Sequence, residues 1–453
     1  MSRKISTLLS LILIAAFALA ACGSPTPTSS APSSSNQPVA TEAPASGGAA
    51  PAEGKKVTIT WWHISTAEDH KAVWQKLADE YMAAHPNVTI EISVLENEAF
   101  KTKLTTVMQS GNPPDIFQSW GGGVMNEYAR AGLLKDITAD LDADGGAWRN
   151  TFSPGALGVY ALDGRNYGVP WDMGMVGFWY NKELFAQAGI TTPPTTWPEL
   201  LEAVKALKAA GITPIALGEG DKWPGHFWFG YLATRICGAE GFRKAAARTG
   251  SFTDPCFVEA ANKLLELKAL EPFQEGYLGA TYGDQATLMG NGKAAMELMG
   301  QWAPAVQKDN SENKQGIGDK LGFFPFPAVP GGAGDPNDAF GGGNGFAVGK
   351  NASPEAIDFL KYLTRPESQV QLAQINVAIP VVKGGEAGLS DPLMIVLQQT
   401  LSKAKYFQLY YDQALPPAVG SVVNDSIQAV FAGTMTPEEA MQAIEASAAQ
   451  EIK

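Results

Sequence analysis

Aromatic side chains beside short polar ones, in glycine- and proline-rich turns, are the residues of this chain whose types could do chemistry together. They recur as Trp61-Trp62-His63, Glu96-Asn97, Trp120-Gly121, Trp171-Asp172, Trp223-Pro224-Gly225-His226, Gln301-Trp302, Gly342-Gly343-Asn344 and Tyr411-Asp412. An indole face can lie on the C–H surface of a sugar-like ring while carboxylate, amide and imidazole groups take its hydroxyls. Mostly apolar clefts with a few placed polar groups bind small molecules in this way. Together these turns point to a neutral, polyhydroxylated ligand. Trp74, Trp179 and Trp197 lie in helix or strand patterns and read as core instead.

Signatures of catalysis are missing. No G-x-S-x-G or H-E-x-x-H occurs, Phe346 stands where the third glycine of a dinucleotide loop belongs, and Gly349-Lys350-Asn351 lacks the hydroxyl of a phosphate loop. The four histidines, at 63, 70, 85 and 226, have no paired metal spacing, and His70 and His85 read as solvated helix residues. Asp140-x-Asp142-x-Asp144-Gly145 copies the first half of a calcium loop, but Thr151 fills the twelfth position where a bidentate carboxylate belongs. A solvated acidic turn is the preferred reading, and no metal, cofactor or catalytic residue is assigned. The chain has 33 Lys+Arg against 46 Asp+Glu, a net charge of −13, and no Lys/Arg-rich run, which argues against nucleic acid as a partner.

The elements that must position these turns follow from periodicity. Val57-Thr58-Ile59-Thr60-Trp61-Trp62 alternates as a strand, and Ser65-x-x-Glu68 reads as a capping box opening a helix with Val73, Trp74, Leu77 and Tyr81 on one face. Val88, Ile90, Ile92 and Val94 alternate as a second strand; a helix carrying Phe100, Leu104, Val107 and Met108 follows. Then Pro114-Asp115-Ile116-Phe117 runs as a short strand into Trp120. This is an α/β unit with a parallel sheet, and such sheets bind ligands beyond their strands' carboxyl ends. Residues 191–319 read as mainly helical, and Ser353-Pro354 and Thr436-Pro437 as helix starts.

The amino terminus addresses the compartment. Arg3 and Lys4 precede an apolar run from Leu8 to Ala20, too short to span a bilayer as a mature helix, and then Leu19-Ala20-Ala21-Cys22. This reads as a cleaved signal whose last residues match the lipobox of bacterial lipoproteins, with Cys22 as the lipidated new terminus. Residues 23–54 are almost entirely Ala, Ser, Pro, Thr and Gly and read as a disordered tether. In that oxidising setting Cys237 and Cys256, 19 positions apart, are better read as a disulfide than as ligands or nucleophiles.

With their neighbours, the aromatic turns resemble extracellular solute-binding protein family 1, the sugar-binding lipoproteins of ATP-driven importers. The stretches that carry the resemblance include Ser110-Gly111-Asn112-Pro113-Pro114-Asp115-Ile116, Gly168-Val169-Pro170-Trp171-Asp172, Trp179-Tyr180-Asn181-Lys182-Glu183-Leu184-Phe185, Pro194-Thr195-Thr196-Trp197-Pro198-Glu199-Leu200 and Gly300-Gln301-Trp302. It implies an α/β, two-lobe periplasmic-binding-protein-like fold, each lobe discontinuous, with the ligand cleft between them. Lobe 1 is expected from 57–170 plus 341–385 and lobe 2 from 171–340 plus 386–453, after a signal over 1–21 and an anchor and tether over 22–56. The crossings fall near 168–171, 340–345 and 385.

Carried over by position, Trp120 with Gly121 resembles the first-lobe aromatic, Trp302 the second-lobe stacking tryptophan, and Asp172 a hydroxyl-binding carboxylate. Gly343 and Asn344 fall where the second crossing approaches the ligand. Trp62, His63, Glu96 and Asn97 fall in first-lobe loops facing the cleft, and Trp223, His226, Tyr282 and Asp412 in second-lobe loops, for which loop packing is the other reading. The resemblance further implies a neutral carbohydrate ligand, ABC permease transmembrane subunits as partners, an extracytoplasmic monomer anchored to the membrane through Cys22, and no enzyme activity. The alternatives are the same fold holding a polyamine or glycerophosphodiester, and an extracytoplasmic carbohydrate-active enzyme with paired carboxylates.

Overall fold

The computed structural model describes residues 55–452. The signal, Cys22 and the tether to residue 54 lie outside the described residues. The strands used below are β1 (Val57–His63), β2 (Val88–Val94), β3 (Ile116–Ser119), β4 (Gly168–Pro170), β5 (Gly174–Met175), β6 (Gly177–Asn181), β7 (Thr213–Ile215), β8 (Ala294–Met299), β9 (Leu321–Phe324), β10 (Ala339–Gly342), β11 (Gly345–Val348) and β12 (Phe407–Leu409). The helices are α1 (Glu68–Ala84), α2 (Asn97–Gln109), α3 (Gly122–Arg130), α4 (Trp197–Ala209), α5 (Trp223–Ala246), α6 (Pro255–Lys268), α7 (Tyr282–Gly290) and α8 (Ala303–Asn310).

The first lobe is built on a five-stranded sheet of order β2-β1-β3-β11-β4. β1 pairs in parallel with β2, Val57 opposite Val88, and with β3, as the alternating order of strands and helices predicts. β11, from far along the chain, enters antiparallel between β3 and β4. Period-two alternation turns Ile59, Trp61 and His63 inward, and α1 covers them with Trp74, Leu77, Ala78 and Tyr81. The second lobe carries a four-stranded sheet, β9-β6-β8-β7, packed by α4, α5 and α6 around fully buried Trp179, Trp197 and Trp228. A small sheet, β12-β10-β5, lies between them. The chain passes from β4 to β5 through Trp171–Met173 and from β10 to β11 through Gly343 and Asn344, so each sheet is assembled from separated stretches.

Two local expectations fail. Ser65 and Glu68 form no capping box: α1 starts after Ala67, which offers no side-chain cap, and Ser65 is drawn inward, its Oγ accepting from Trp74 Nε1 at 3.1 Å. A buried hydroxyl with an indole N–H to satisfy does more there than at the helix end. The missing cap comes from the other lobe, where Asp309 Oδ2 accepts from Glu68 N at 2.8 Å and Lys308 Nζ meets Asp69 at 2.6 Å. The second failure is Trp223-Pro224-Gly225-His226, read as a loop, which forms the first turn of α5, a helix broken at Gly238. Proline near a helix start lacks only an N–H that would go unused. The acidic stretch at 140–145 folds as a helical turn kinked at Ala143, Asp144 and Gly145, with Asp142 paired to Arg149. Cys237 on α5 and Cys256 on α6 bring their sulfurs to disulfide distance.

Candidate ligand-binding cleft

A cavity of about 330 Å³ opens between the lobes and draws its walls from both, and from the crossing segment Gly342–Asn344. On the first lobe, Trp120 stands just beyond the carboxyl end of β3, its ring edge-on to Phe100 at 6.0 Å, and Glu96, Asn97 and Lys101 come from the start of α2. Glu96 is the N-cap of that helix, its Oε2 accepting from Glu98 N at 2.9 Å. Trp120 can turn into the cleft because Gly121 has φ +69° and a Cβ there would lie 2.5 Å from the Val159 carbonyl.

Second-lobe residues form an aromatic wall. Trp223 opens α5, Tyr282 opens α7 and Trp302 precedes α8; the Trp223 ring lies 5.0 Å from Tyr282 and 6.5 Å from Trp302. Gly300 lets Trp302 fold back, since a Cβ there would come within 2.2 Å of the indole. Phe227, Tyr410, Asp412 and Gln413 complete this side. Trp171 Nε1, Trp223 Nε1, Tyr282 Oη, Tyr410 Oη and Gln413 Oε1 all belong to cavity-lining residues and have no hydrogen-bond partner among the described residues. Buried polar atoms are normally paired, and these five are closed off from solvent, so unmet hydrogen-bonding capacity lies in the residues of the cavity wall.

Of the residues expected at the site, Glu96, Asn97, Trp120, Trp223, Tyr282, Trp302, Gly343, Asn344 and Asp412 line this cavity. Five are placed elsewhere. Trp62 packs outside it with Lys103 Nζ 4.1 Å above its ring. His63 lies in the core, 5.0 Å from the Trp61 ring, and burial pulls its pKa to about 3. Gly121 supplies only the turn. His226 is fully buried on α5, its Nε2 accepting from Tyr411 N at 3.2 Å. Asp172 is 1% exposed and is taken up by protein donors: Asn344 N at 2.6 Å, Asn344 Nδ2 at 2.9 Å and Gln301 Nε2 at 2.7 Å.

The sequence reading also missed His70, Lys101, Phe227 and Tyr410, which line the cavity, as does Trp171 of the aromatic turns. His70 is no solvated helix residue: it is buried, edge-on to Trp171 at 5.2 Å, and burial with His63 nearby pulls its pKa to about 3. Its signal was present, since 70, 74, 77, 78 and 81 trace one helical face.

Buried carboxyls stand behind the walls. Burial pushes Glu297 up to about 7 against the hydrogen bonds that hold it, Gln285 Nε2 and Gln307 Nε2 donating to its two oxygens at 2.6 Å each. It thereby clamps α7 to α8, the helices that Tyr282 and Trp302 open. Burial likewise pushes Glu219 well above the carboxylate range, and its carboxyl packs against Gly225 in the first turn of α5.

The family model for bacterial extracellular solute-binding proteins matches residues 65–370. The chain belongs to that family. Membership makes it an extracytoplasmic protein of a binding family rather than of an enzyme family, and it bears out the resemblance and the two-lobe α/β fold read from the sequence. An uncharacterised ABC transporter extracellular-binding protein of Pyrococcus horikoshii is 27% identical over 94% of this chain and 92% of its own length. A diacetylchitobiose binding protein of Streptomyces coelicolor is 27% identical over 74% and 78% respectively. Among solved structures, a chitin oligosaccharide binding protein superposes with a TM-score of 0.81 at 30% identity, covering 88% of this chain and 99% of that one.

Proposed function

We propose that this protein is the solute-binding component of an ATP-driven carbohydrate importer, holding a mono- or oligosaccharide between its lobes and delivering it to membrane permease subunits. The observation that carries this reading is that the side chains of Trp120, Trp223 and Trp302, with Glu96, Asn97, Asn344 and Asp412, line one cavity fed by both lobes. A sugar presents C–H faces to the rings and hydroxyls to the polar groups. Relatives named for diacetylchitobiose and chitin oligosaccharide support the same ligand class.

The wall carboxylates argue against a polyamine, because Glu96 caps α2 and Asp412 accepts from Asn424 Nδ2 at 3.1 Å. Among the described residues Lys101 is the one Lys or Arg side chain on the cavity wall, which disfavours a phosphodiester. Calorimetry against mono-, di- and trisaccharides, spermidine and glycerophosphocholine is the test. Binding of a neutral sugar is expected; silence toward every sugar beside binding of either charged solute overturns the proposal.

The same reading includes the lobe boundaries 57–170 plus 341–385 and 171–340 plus 386–453, a cleaved signal, lipidation at Cys22, a disulfide between Cys237 and Cys256, and a monomer. Metabolic labelling with a palmitate analogue, lost in Cys22→Ser, tests the anchor. Light scattering at a mass above that of one chain would overturn the monomer.

A further inference from the structure

Asp172 carries a carboxylate buried between the two crossings, and its partners run in a line from one lobe to the other. Gln118, on β3, donates from Nε2 to Asn344 Oδ1 at 2.9 Å. Asn344, on the second crossing, donates from N and Nδ2 to Asp172 Oδ1 at 2.6 and 2.9 Å. Asp172, on the first crossing, takes Gln301 Nε2 on its other oxygen at 2.7 Å, and Gln301 follows β8 of the second lobe. The backbone repeats the tie, since Trp171 N and Asp172 N both donate to Asn344 O at 2.8 and 3.1 Å. Gln118, Asp172 and Gln301 are each no more than 1% exposed. Only Asn344, half-buried, reaches the cavity, and Gln301 directly precedes Trp302.

We propose that Asp172 is a positioning residue that ties the two crossings together and, through Asn344 and Gln301, sets cavity groups of opposite lobes in one register. A carboxylate suits the task because three N–H donors converge on it and it can only accept. Close approach is part of the design: a Cβ on Gly343 would sit 2.7 Å from the Asp172 carbonyl, and one on Gly174 would sit 1.9 Å from Gln301 Oε1. The ligand consequence rests on the sugar-binding reading, because it requires the cavity to be the ligand site; the tie itself does not.

The test is therefore made on the full chain without ligand. Hydrogen exchange of the Asn344 amide is compared in wild type, Asp172→Asn, Gln118→Ala, Gln301→Ala and the double glutamine variant. Asparagine offers one acceptor oxygen and turns an NH₂ toward the donors, so Asp172→Asn is expected to raise exchange at 344 about tenfold while β1 and β8 stay protected. The glutamines belong to different lobes, and their effects are expected to be coupled, the double variant falling short of the product of the singles by about threefold. Unchanged exchange at 344 in Asp172→Asn, or simple multiplication across the glutamine cycle, overturns the proposal. Should Asp172→Asn fail to fold, the cycle decides alone, since both glutamine variants keep the carboxylate. A coupled cycle beside silence toward every sugar would retain the tie and remove the sugar.

Discussion

At the residue scale, Trp302 is the most direct probe of the cleft. Its ring is half-buried, it lines the cavity, and it packs beside Gly300 and Trp223 at the edge of the second-lobe core. Replacing it by alanine is expected to cost about 1–2 kcal/mol of sugar affinity, roughly five- to thirtyfold, with the ligand-free melting temperature little changed. Calorimetry and a thermal scan on the same preparation separate the two; lost stability with intact affinity would place Trp302 in the core.

Titratable groups make a second prediction, with opposing signs. Burial holds Asp172 and Glu297 at about 7, above their unfolded values, so their contribution to stability is full below about pH 4 and is lost as pH rises to about 7. His63 and His70, held near 3, contribute above about pH 6.5 and lose that contribution as pH falls. Glu297→Gln removes one arm alone. Relative to wild type, its melting temperature should climb between about pH 4 and about pH 7; a flat difference would refute the assignment. Residues on regular elements were legible where periodicity was followed through. Alternation on β1 puts His63 on the inward face with Ile59 and Trp61, and it is the resemblance to cleft-facing loops that misplaces it. The role of Asp172 was not legible, because its donors at 301 and 344 are remote in sequence and meet it only once both crossings form.

At the element scale, α1 lacks a cap of its own. Since Asp309 on α8 supplies it, a helix of one lobe is completed by the other. Asp309→Ala should weaken sugar binding by about 1 kcal/mol, the usual value of an N-cap. Placing aspartate at Ala67, so that α1 caps itself, should make the loss of Asp309 nearly silent; equal losses with and without that aspartate would show that the contact is incidental. The sequence suggested a local capping box because Ser65 and Glu68 have its spacing, but spacing carries no information about the buried Trp74 N–H that claims Ser65. Trp223-Pro224 repeats the Trp197-Pro198 pattern that opens α4, so the start of α5 was readable by analogy within the chain. Between α5 and α6, reduction of the Cys237–Cys256 pair should add two hydrogens by mass spectrometry and cost about 3 kcal/mol of stability in the chain-entropy account of a loop this long; two free thiols in the untreated protein would exclude the bond.

For the whole molecule, a ligand touching both lobes favours the arrangement that brings them together, and one touching a single lobe shifts nothing. Small-angle scattering should therefore record a smaller radius of gyration when the sugar identified by calorimetry is added. No contraction on saturation would mean that this cavity is already complete without it. The two-lobe architecture was legible through the family's ordered blocks, and the first two strands from alternation. The position of β11 was not, because antiparallel insertion of a segment more than 200 residues downstream leaves no local periodic trace. That insertion also governs timing. β11 lies inside the first sheet, between β3 and β4, so the amino-terminal lobe cannot join its two halves until residues 345–348 have been synthesised. Long-range pairing of this kind slows folding, and a chain obliged to wait for most of its own length stays unfinished, and therefore threadable, during the interval in which an exported protein must cross a membrane.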